Sequence, residues 1–88
     1  MGEPWLDVNK EVLQILDATL NLRGRAQGFR VETPLLGAVP ELDSMAVVAV
    51  ITALEERFGF AVDDDELDAS TFGTVGSLVG FVESKLAG

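Results

Sequence analysis

The sequence predicts an all-α protein: a small bundle of three main helices plus one short helix, with a long loop between helices 1 and 2. Three observations carry this. Apolar residues recur at three- and four-residue spacing in three separate stretches. Glycine and proline fall between those stretches rather than within the middle one. No stretch shows the strict alternation of a half-buried strand, so β content is expected to be minimal. At 88 residues, the chain allows one domain, taken as residues 1–88, with residues 1–6 expected to be a flexible N-terminus.

The first helix is expected from about Val8 to Leu22. Val8, Val12, Ile15, Leu16 and Thr19 share one face, and Leu13 and Leu20 widen it. Asp7 is the candidate N-cap, Asn9 a second one in shifted register, and Gly24 the stop. Trp5, the only tryptophan, is expected to be a packing anchor. Residues 23–42 carry Gly24, Gly28, Pro34, Gly37 and Pro40, which break any long period. A connection of about twenty residues is long for a small domain, so it is either functional or pinned by apolar residues of its own. Phe29, Val31, Leu35 and Leu36 are the expected pins. Thr33 and Pro34 could cap and open a short turn that Gly37 closes.

The second helix has the clearest bounds. Asp43 is a good cap, Ser44 to Phe58 contains neither glycine nor proline, and Gly59 is a C-terminal stop. Val47, Val48, Ile51, Leu54 and Phe58 are expected to face inward. The other side is also apolar, with Ala46, Ala49, Val50 and Ala53, and is expected to be an interaction face, the alternative being burial under the long loop. Asp63 and Glu66 have capping-box spacing and open a short helix at about Asp64 to Ala69. Thr74 caps a last helix through Leu86, with Val75, Leu78, Val79, Val82 and Leu86 inward. Gly76 and Gly80 weaken that helix by roughly 1 kcal/mol each relative to alanine, so packing must hold it.

Composition excludes much chemistry. With 48% hydrophobic residues the chain has enough apolar surface for a core, despite its charge. It has no cysteine and no histidine, so disulfides, thiolate sites and Ser-His-Asp or Cys-His catalysis are ruled out. Fifteen acids against six bases give a net charge of −9. That balance repels nucleic acid and anionic membrane and favours partners with basic surfaces. The start, Met1-Gly2-Glu3-Pro4-Trp5, lacks the basic and apolar segments of a signal peptide, and the apolar run Met45–Ile51 is too short to span a bilayer. The expectation is a cytoplasmic protein, a monomer, with no membrane insertion.

Chemistry can be placed at Pro40-Glu41-Leu42-Asp43-Ser44-Met45. Ser44 would open a helix after an irregular loop. A phosphate ester on its hydroxyl would lie beside free backbone N–H groups at the positive end of the helix dipole. The serine has no histidine to activate it, and the two lysines, Lys10 and Lys85, lie on other expected helices. If Ser44 is chemically special, it is the substrate of another enzyme. The plainer reading is a serine near a helix start, where serine is common.

Leu35-Leu36-Gly37, Leu42-Asp43-Ser44-Met45, Val48, Ile51, Leu54-Glu55 and Phe58-Gly59 closely resemble acyl carrier proteins. Thr71-Phe72-Gly73-Thr74-Val75, with Leu78 and Phe81-Val82, resembles the approach to their last helix. The likeness covers about residues 8–86. It implies a non-catalytic carrier whose Ser44 accepts 4'-phosphopantetheine from coenzyme A through a Mg-dependent phosphopantetheinyl transferase. Acyl groups would ride as thioesters on the thiol of that arm. Asp43 would cap the helix and serve recognition by the transferase. Further partners would be an acyl-activating ligase or acyltransferase and synthase enzymes. The wording around Ser44 is similar to stand-alone carriers of bacterial exopolysaccharide-associated clusters.

The sequence departs from many such proteins along the second helix, where Ala46, Ala49 and Val50 stand in place of acids. Docking is therefore expected through Met45, Ala46, Ala49 and Val50, with Glu41, Glu55 and Glu56 at the rim, in a specialised biosynthetic pathway rather than housekeeping fatty-acid synthesis. Two alternatives stay open: an aminoacyl or peptidyl carrier with the same cofactor, and a cofactor-free helical interaction module. Arg23, Arg25 and Arg30 are expected to pair with acids, the cofactor phosphate being the other target. The acids at 63–68 fail the calcium-loop pattern, because Leu67 stands at an oxygen-ligand position and Asp68 at the glycine position. No metal ligand is assigned.

Overall fold

The computed structural model describes residues 4–87. Three α-helices carry the architecture: α1 (Pro4–Leu20), α2 (Ser44–Phe58) and α3 (Val75–Ala87). Helix α1 packs against both of the others. Three short 3-10 turns lie between them, at Arg25–Gly28, Asp64–Glu66 and Ala69–Phe72. Among the described residues there is no strand, only an isolated antiparallel bridge between Pro34 and Thr74.

Helix α1 begins earlier than its apolar period suggested. Proline occupies its first position, where its missing N–H costs nothing and its fixed φ suits a helix. Positions 7 and 9 therefore lie inside the helix rather than at its start. The expected packing of the Trp5 side chain lies outside the described residues. The helix also stops early. Asn21 takes φ 57°, and the Leu22 N–H donates to the Asp17 carbonyl at 2.9 Å. This is a Schellman closure with asparagine in the left-handed position, and the buried Leu22 completes it. Gly24, the expected stop, lies three residues beyond.

Helices α2 and α3 start where their caps predict. The Asp43 carboxylate accepts the Ala46 N–H at 2.8 Å. Gly59 closes α2 with φ 77° and donates to the Glu55 carbonyl. Thr74 Oγ1 accepts the Ser77 N–H at 3.1 Å, and Ser77 Oγ accepts the Thr74 N–H at 3.0 Å. That reciprocal pair is a capping box with serine in place of glutamate.

The core consists of Val12, Leu13, Leu16 and Leu20 from α1, Val50, Ile51 and Leu54 from α2, and Val75, Leu78, Val79 and Val82 from α3. Leu22, Ala26, Leu35, Val39, Leu42 and Phe72 close it from the connections. Several inward assignments are corrected. Val48 and Leu86 are exposed, and Val50 is fully buried. At 100° per residue, Val47, Val50, Ile51, Leu54 and Phe58 cluster on one side of α2, whereas Val48 lies next to Met45, Ala49 and Thr52 on the other.

The long loop is pinned differently from expectation. Leu35 is buried and Phe29 half-buried, but Val31 and Leu36 are exposed. Backbone bonds do the pinning instead. Leu35 and Leu36 donate to the carbonyls of Gly73 and Phe72, and Val75 and Gly76 donate to those of Thr33 and Val31, at 2.8–3.0 Å. The last two satisfy N–H groups in the first turn of α3, which otherwise lack helical partners. Thr33 and Pro34 are thus part of an extended pairing and open no helical turn. Thr33 Oγ1 accepts the Arg30 N–H instead. Gly37, at φ 88°, lies in the turn that follows.

The expected short helix near 64–69 is a 3-10 turn, followed by a second one. Glu66 Oε2 accepts the Asp63 N–H at 2.8 Å, which is half of the anticipated capping box. The pattern breaks at Asp68, whose Oδ1 draws the Ser70 and Thr71 N–H groups at 2.9 and 3.1 Å and caps the next turn. Lys85 Nζ on α3 ties back to Glu66 Oε1 at 2.7 Å.

Candidate functional site

Ser44 is the first residue of α2 and is exposed. It is held there by Asp43, whose extended backbone and capping carboxylate set the direction in which the helix begins. Ser44 lies at the lip of a cleft of about 330 Å³, lined also by Leu36, Val47, Leu67, Asp68 and Phe72. The four apolar residues come from the long loop, α2 and the 63–73 connection. The cleft exists because the Leu36 N–H is tied to the Phe72 carbonyl, which brings two connections together over α2.

Asp68 is the charged member of this lining. The Ser70 hydroxyl and the Thr71 and Ser70 backbone N–H groups hold its carboxyl below the ordinary 3.8. A depressed carboxyl pKa stabilises the fold above the ordinary value, and that contribution is lost as pH falls through the lowered one. Asp68→Asn is therefore expected to lower Tm at pH 6, with the gap to wild type closing as the pH falls below 3.8. Thermal melts at constant ionic strength across this range check it; a gap that stays constant with pH would refute the assignment.

The expected docking residues do not all share a surface. Met45 is 77% and Val48 61% exposed, and Ala49 is exposed beside them. Ala46 is half-buried. Val50 is fully buried in the core, so its assignment to a contact face is corrected. Glu56 is exposed. Glu55 is half-buried and accepts the Val62 N–H at 2.7 Å, which ties down the chain after α2. Glu41 pairs with Arg25. Arg23 and Arg30 form no ion pair within the described residues, so only Arg25 of the three arginines meets the expected pairing.

Sequence reasoning missed the cleft residues Leu67, Asp68 and Phe72. Phe72 had a signal as an aromatic residue three positions before the last helix. Asp68 had one too, standing two and three residues ahead of Ser70 and Thr71, whose N–H groups an Asx turn captures.

The site suits an attached phosphate ester. An exposed hydroxyl opens a helix, where backbone N–H groups and the dipole favour an anion, and an apolar cleft begins beside it. Its one carboxylate, Asp68, is engaged with the Ser70 and Thr71 N–H groups. Fold and site together define a carrier domain, which presents a group for others to act on.

Residues 10–82 match the family described as "Phosphopantetheine attachment site". Among solved structures, the chain is similar to the holo acyl carrier protein of Nitrosomonas europaea, determined by NMR in solution. The two are 56% identical with a TM-score of 0.85, over 91% of this chain and 96% of that one. No curated protein matches. The chain belongs to the phosphopantetheine-attachment family of acyl carrier proteins, carriers without catalytic activity of their own that hold 4'-phosphopantetheine covalently. Proteins of this family work with phosphopantetheinyl transferases and biosynthetic enzymes. Among the described residues, no helix is long and apolar enough to cross a membrane.

Proposed function

We propose that Ser44 is the attachment residue and that the chain carries acyl groups for a specialised biosynthetic pathway. The observation that carries the first part is the position of Ser44: exposed, first in a capped helix, and at the lip of an apolar cleft. In the transfer, Ser44 Oγ forms a bond to the coenzyme A phosphorus that bears the pantetheine. The bond from that phosphorus to the departing adenosine bisphosphate breaks. The serine proton goes to a base of the transferase, because the carboxylates near Ser44 are engaged: Asp43 as a cap and Asp68 with the Ser70 and Thr71 N–H groups. When bound, the arm supplies the thiol that a chain without cysteine lacks.

The residues of the chain then have three tasks. Asp43 holds the helix start and, as an exposed anion beside the hydroxyl, is available to basic groups of the transferase. Leu36, Val47, Leu67 and Phe72 offer an acyl chain shelter from water. Met45, Val48 and Ala49 present an apolar strip, with Glu41 before it and Glu56 after it. Partners with an apolar contact surface edged by basic residues fit this strip, such as an acyl-activating ligase, an acyltransferase or a synthase. The apolar strip is also what supports a specialised pathway.

Incubation with coenzyme A and a broad-specificity transferase is expected to add one phosphopantetheinyl group, read by intact mass spectrometry. Ser44→Ala is expected to abolish the addition completely and leave the melting curve nearly unchanged. Addition to the Ser44→Ala chain would refute the assignment of the residue.

A further inference from the structure

Arg25 is held from behind by hydrogen bonds that converge on Asp17. The Asp17 carboxylate, in the last turn of α1, accepts the Gly24 N–H through Oδ1 at 3.1 Å and the Ala26 N–H through Oδ2 at 3.2 Å. Its carbonyl takes the Leu22 N–H. Between these anchors Asn21, Arg23 and Gly24 take φ values of 57°, 57° and 90°. Left-handed backbone at an arginine is unfavourable and persists only where surrounding bonds over-determine it. The product of this turn is the direction of Arg25. Its Nε–H donates to the Leu22 carbonyl at 3.2 Å, which fixes the guanidinium plane, and its Nη2 meets the Glu41 carboxylate.

Glu41 lies three residues before Ser44. Within residues 36–43 only Glu41 and Asp43 have polar side chains, and Asp43 caps its own helix. Among the described residues, Glu41 is thus the one side chain that ties this turn to the end of α1 through a directional bond. The buried Leu42 sets the depth of the turn. Backbone bonds from Leu42 to the Val39 carbonyl and from Asp43 to the Glu41 carbonyl give the turn its internal shape, and the ion pair adds the side-chain bond that ties it to the Arg25 segment.

We propose that Arg25 is a positioning residue for group transfer onto Ser44: braced by Asp17 and engaged with Glu41, it is a strut that holds the turn before α2 and thereby aims the Ser44 hydroxyl. This rests on Ser44 being the attachment residue. The pair is exposed, with side-chain exposures of 57% and 36%, so it contributes little to folding. Its consequence is geometric. Displacement at phosphorus needs the attacking oxygen in line with the departing one, and small misplacements cost rate.

The experiment follows phosphopantetheinylation by intact mass, with coenzyme A and one transferase, for wild type, Arg25→Ala, Arg25→Lys, Glu41→Ala and the double alanine variant. Arg25→Ala is expected to lower kcat roughly fivefold, about 1 kcal/mol, with KM changed less than about twofold. Glu41→Ala is expected to match it, and the double variant to be no slower than either single one. Arg25→Lys keeps the ion pair and is expected to recover most of the rate. Hydrogen exchange at the Leu42 and Asp43 amides is expected to quicken in Arg25→Ala while Tm changes little. Unchanged kcat in Arg25→Ala overturns the strut. So does a rise in KM alone, which places Arg25 or Glu41 against the enzyme, and so do additive losses in the double variant. A wild-type chain that gains no mass overturns the Ser44 attachment itself, and the strut with it.

Discussion

Val50→Glu is expected to unfold most of the protein, while Ala49→Glu leaves it folded. The two residues are adjacent, and the sequence alone puts both on the same apolar side of α2. Val50 has no exposure and sits among core residues of all three helices. A carboxylate there finds no basic partner, and an unpaired buried charge costs on the order of 3–5 kcal/mol unless it takes up a proton. A domain of this size is stable by roughly 5–10 kcal/mol in total, so the folded state would be marginal at best. Val50→Ala separates charge from packing: two lost methyl groups cost about 2 kcal/mol, which lowers the urea midpoint but keeps a cooperative transition. Ala49→Glu places its charge in water, and its Tm is expected to stay within a few degrees of wild type. Its effect belongs to partner transfer, which should weaken if the Met45-Val48-Ala49 strip is the contact. Circular dichroism and urea titration decide the first part. A cooperative Val50→Glu transition near the wild-type midpoint would mean that α2 is rotated from the orientation described.

Gly76→Ala and Gly80→Ala are expected to change stability in opposite directions. Both glycines lie in α3, and helix propensity alone favours alanine at each by about 1 kcal/mol. At Gly80 a Cβ meets nothing within 4 Å, so the gain is realised and Tm rises by roughly 4–8 °C. At Gly76 the Cβ would stand 2.5 Å from Val31 Cγ1 and 3.0 Å from the Val31 carbonyl oxygen. The exposed Val31 side chain can swing away. Its carbonyl cannot move freely, because it accepts the Gly76 N–H at 2.8 Å in the pairing that anchors the loop to α3. Overpacking of this kind costs about 1–3 kcal/mol, which outweighs the propensity gain. Thermal melts of the two variants side by side test this. A stabilised Gly76→Ala would show that the loop does not press on α3 as described.

The legible and illegible parts of the fold divide along one line. The caps at Asp43 and Thr74, the stop at Gly59 and the acid-led turn at Asp63–Glu66 were readable, because each is a bond between residues no more than four apart. The start of α1 was misplaced. Its apolar period begins near Val8, whereas Pro4 can open a helix by its own ring geometry. The end was misplaced because asparagine, a less frequent left-handed residue than glycine, performs the closure at Asn21. The short helix near 64–69 gave way to 3-10 turns once the Asp68 carboxylate took the next two N–H groups.

Ser44 is proposed as the attachment residue from local rules and a resemblance, and the structure leaves its side chain exposed. The surroundings were less legible. Val48 and Val50 exchange roles because α2 is apolar nearly all round in its first half, and a period of 3.6 cannot choose a buried side when both sides are greasy. Glu55 reads as a rim charge, yet it binds the Val62 N–H.

Taken alone, the amino-acid order determines that this protein is helical, acidic, without a catalytic pair of its own, and provided with a hydroxyl at a helix start. Those properties come from composition and short-range hydrogen bonds, which every window of the chain carries. Only the tertiary structure decided which side of α2 faces water, that Leu36 and Phe72 meet to form a cleft beside Ser44, and that Arg25, between the Gly24 and Ala26 amides bound by Asp17, meets Glu41. These depend on contacts between segments far apart in the chain, whose partners are selected by the packing of the whole core.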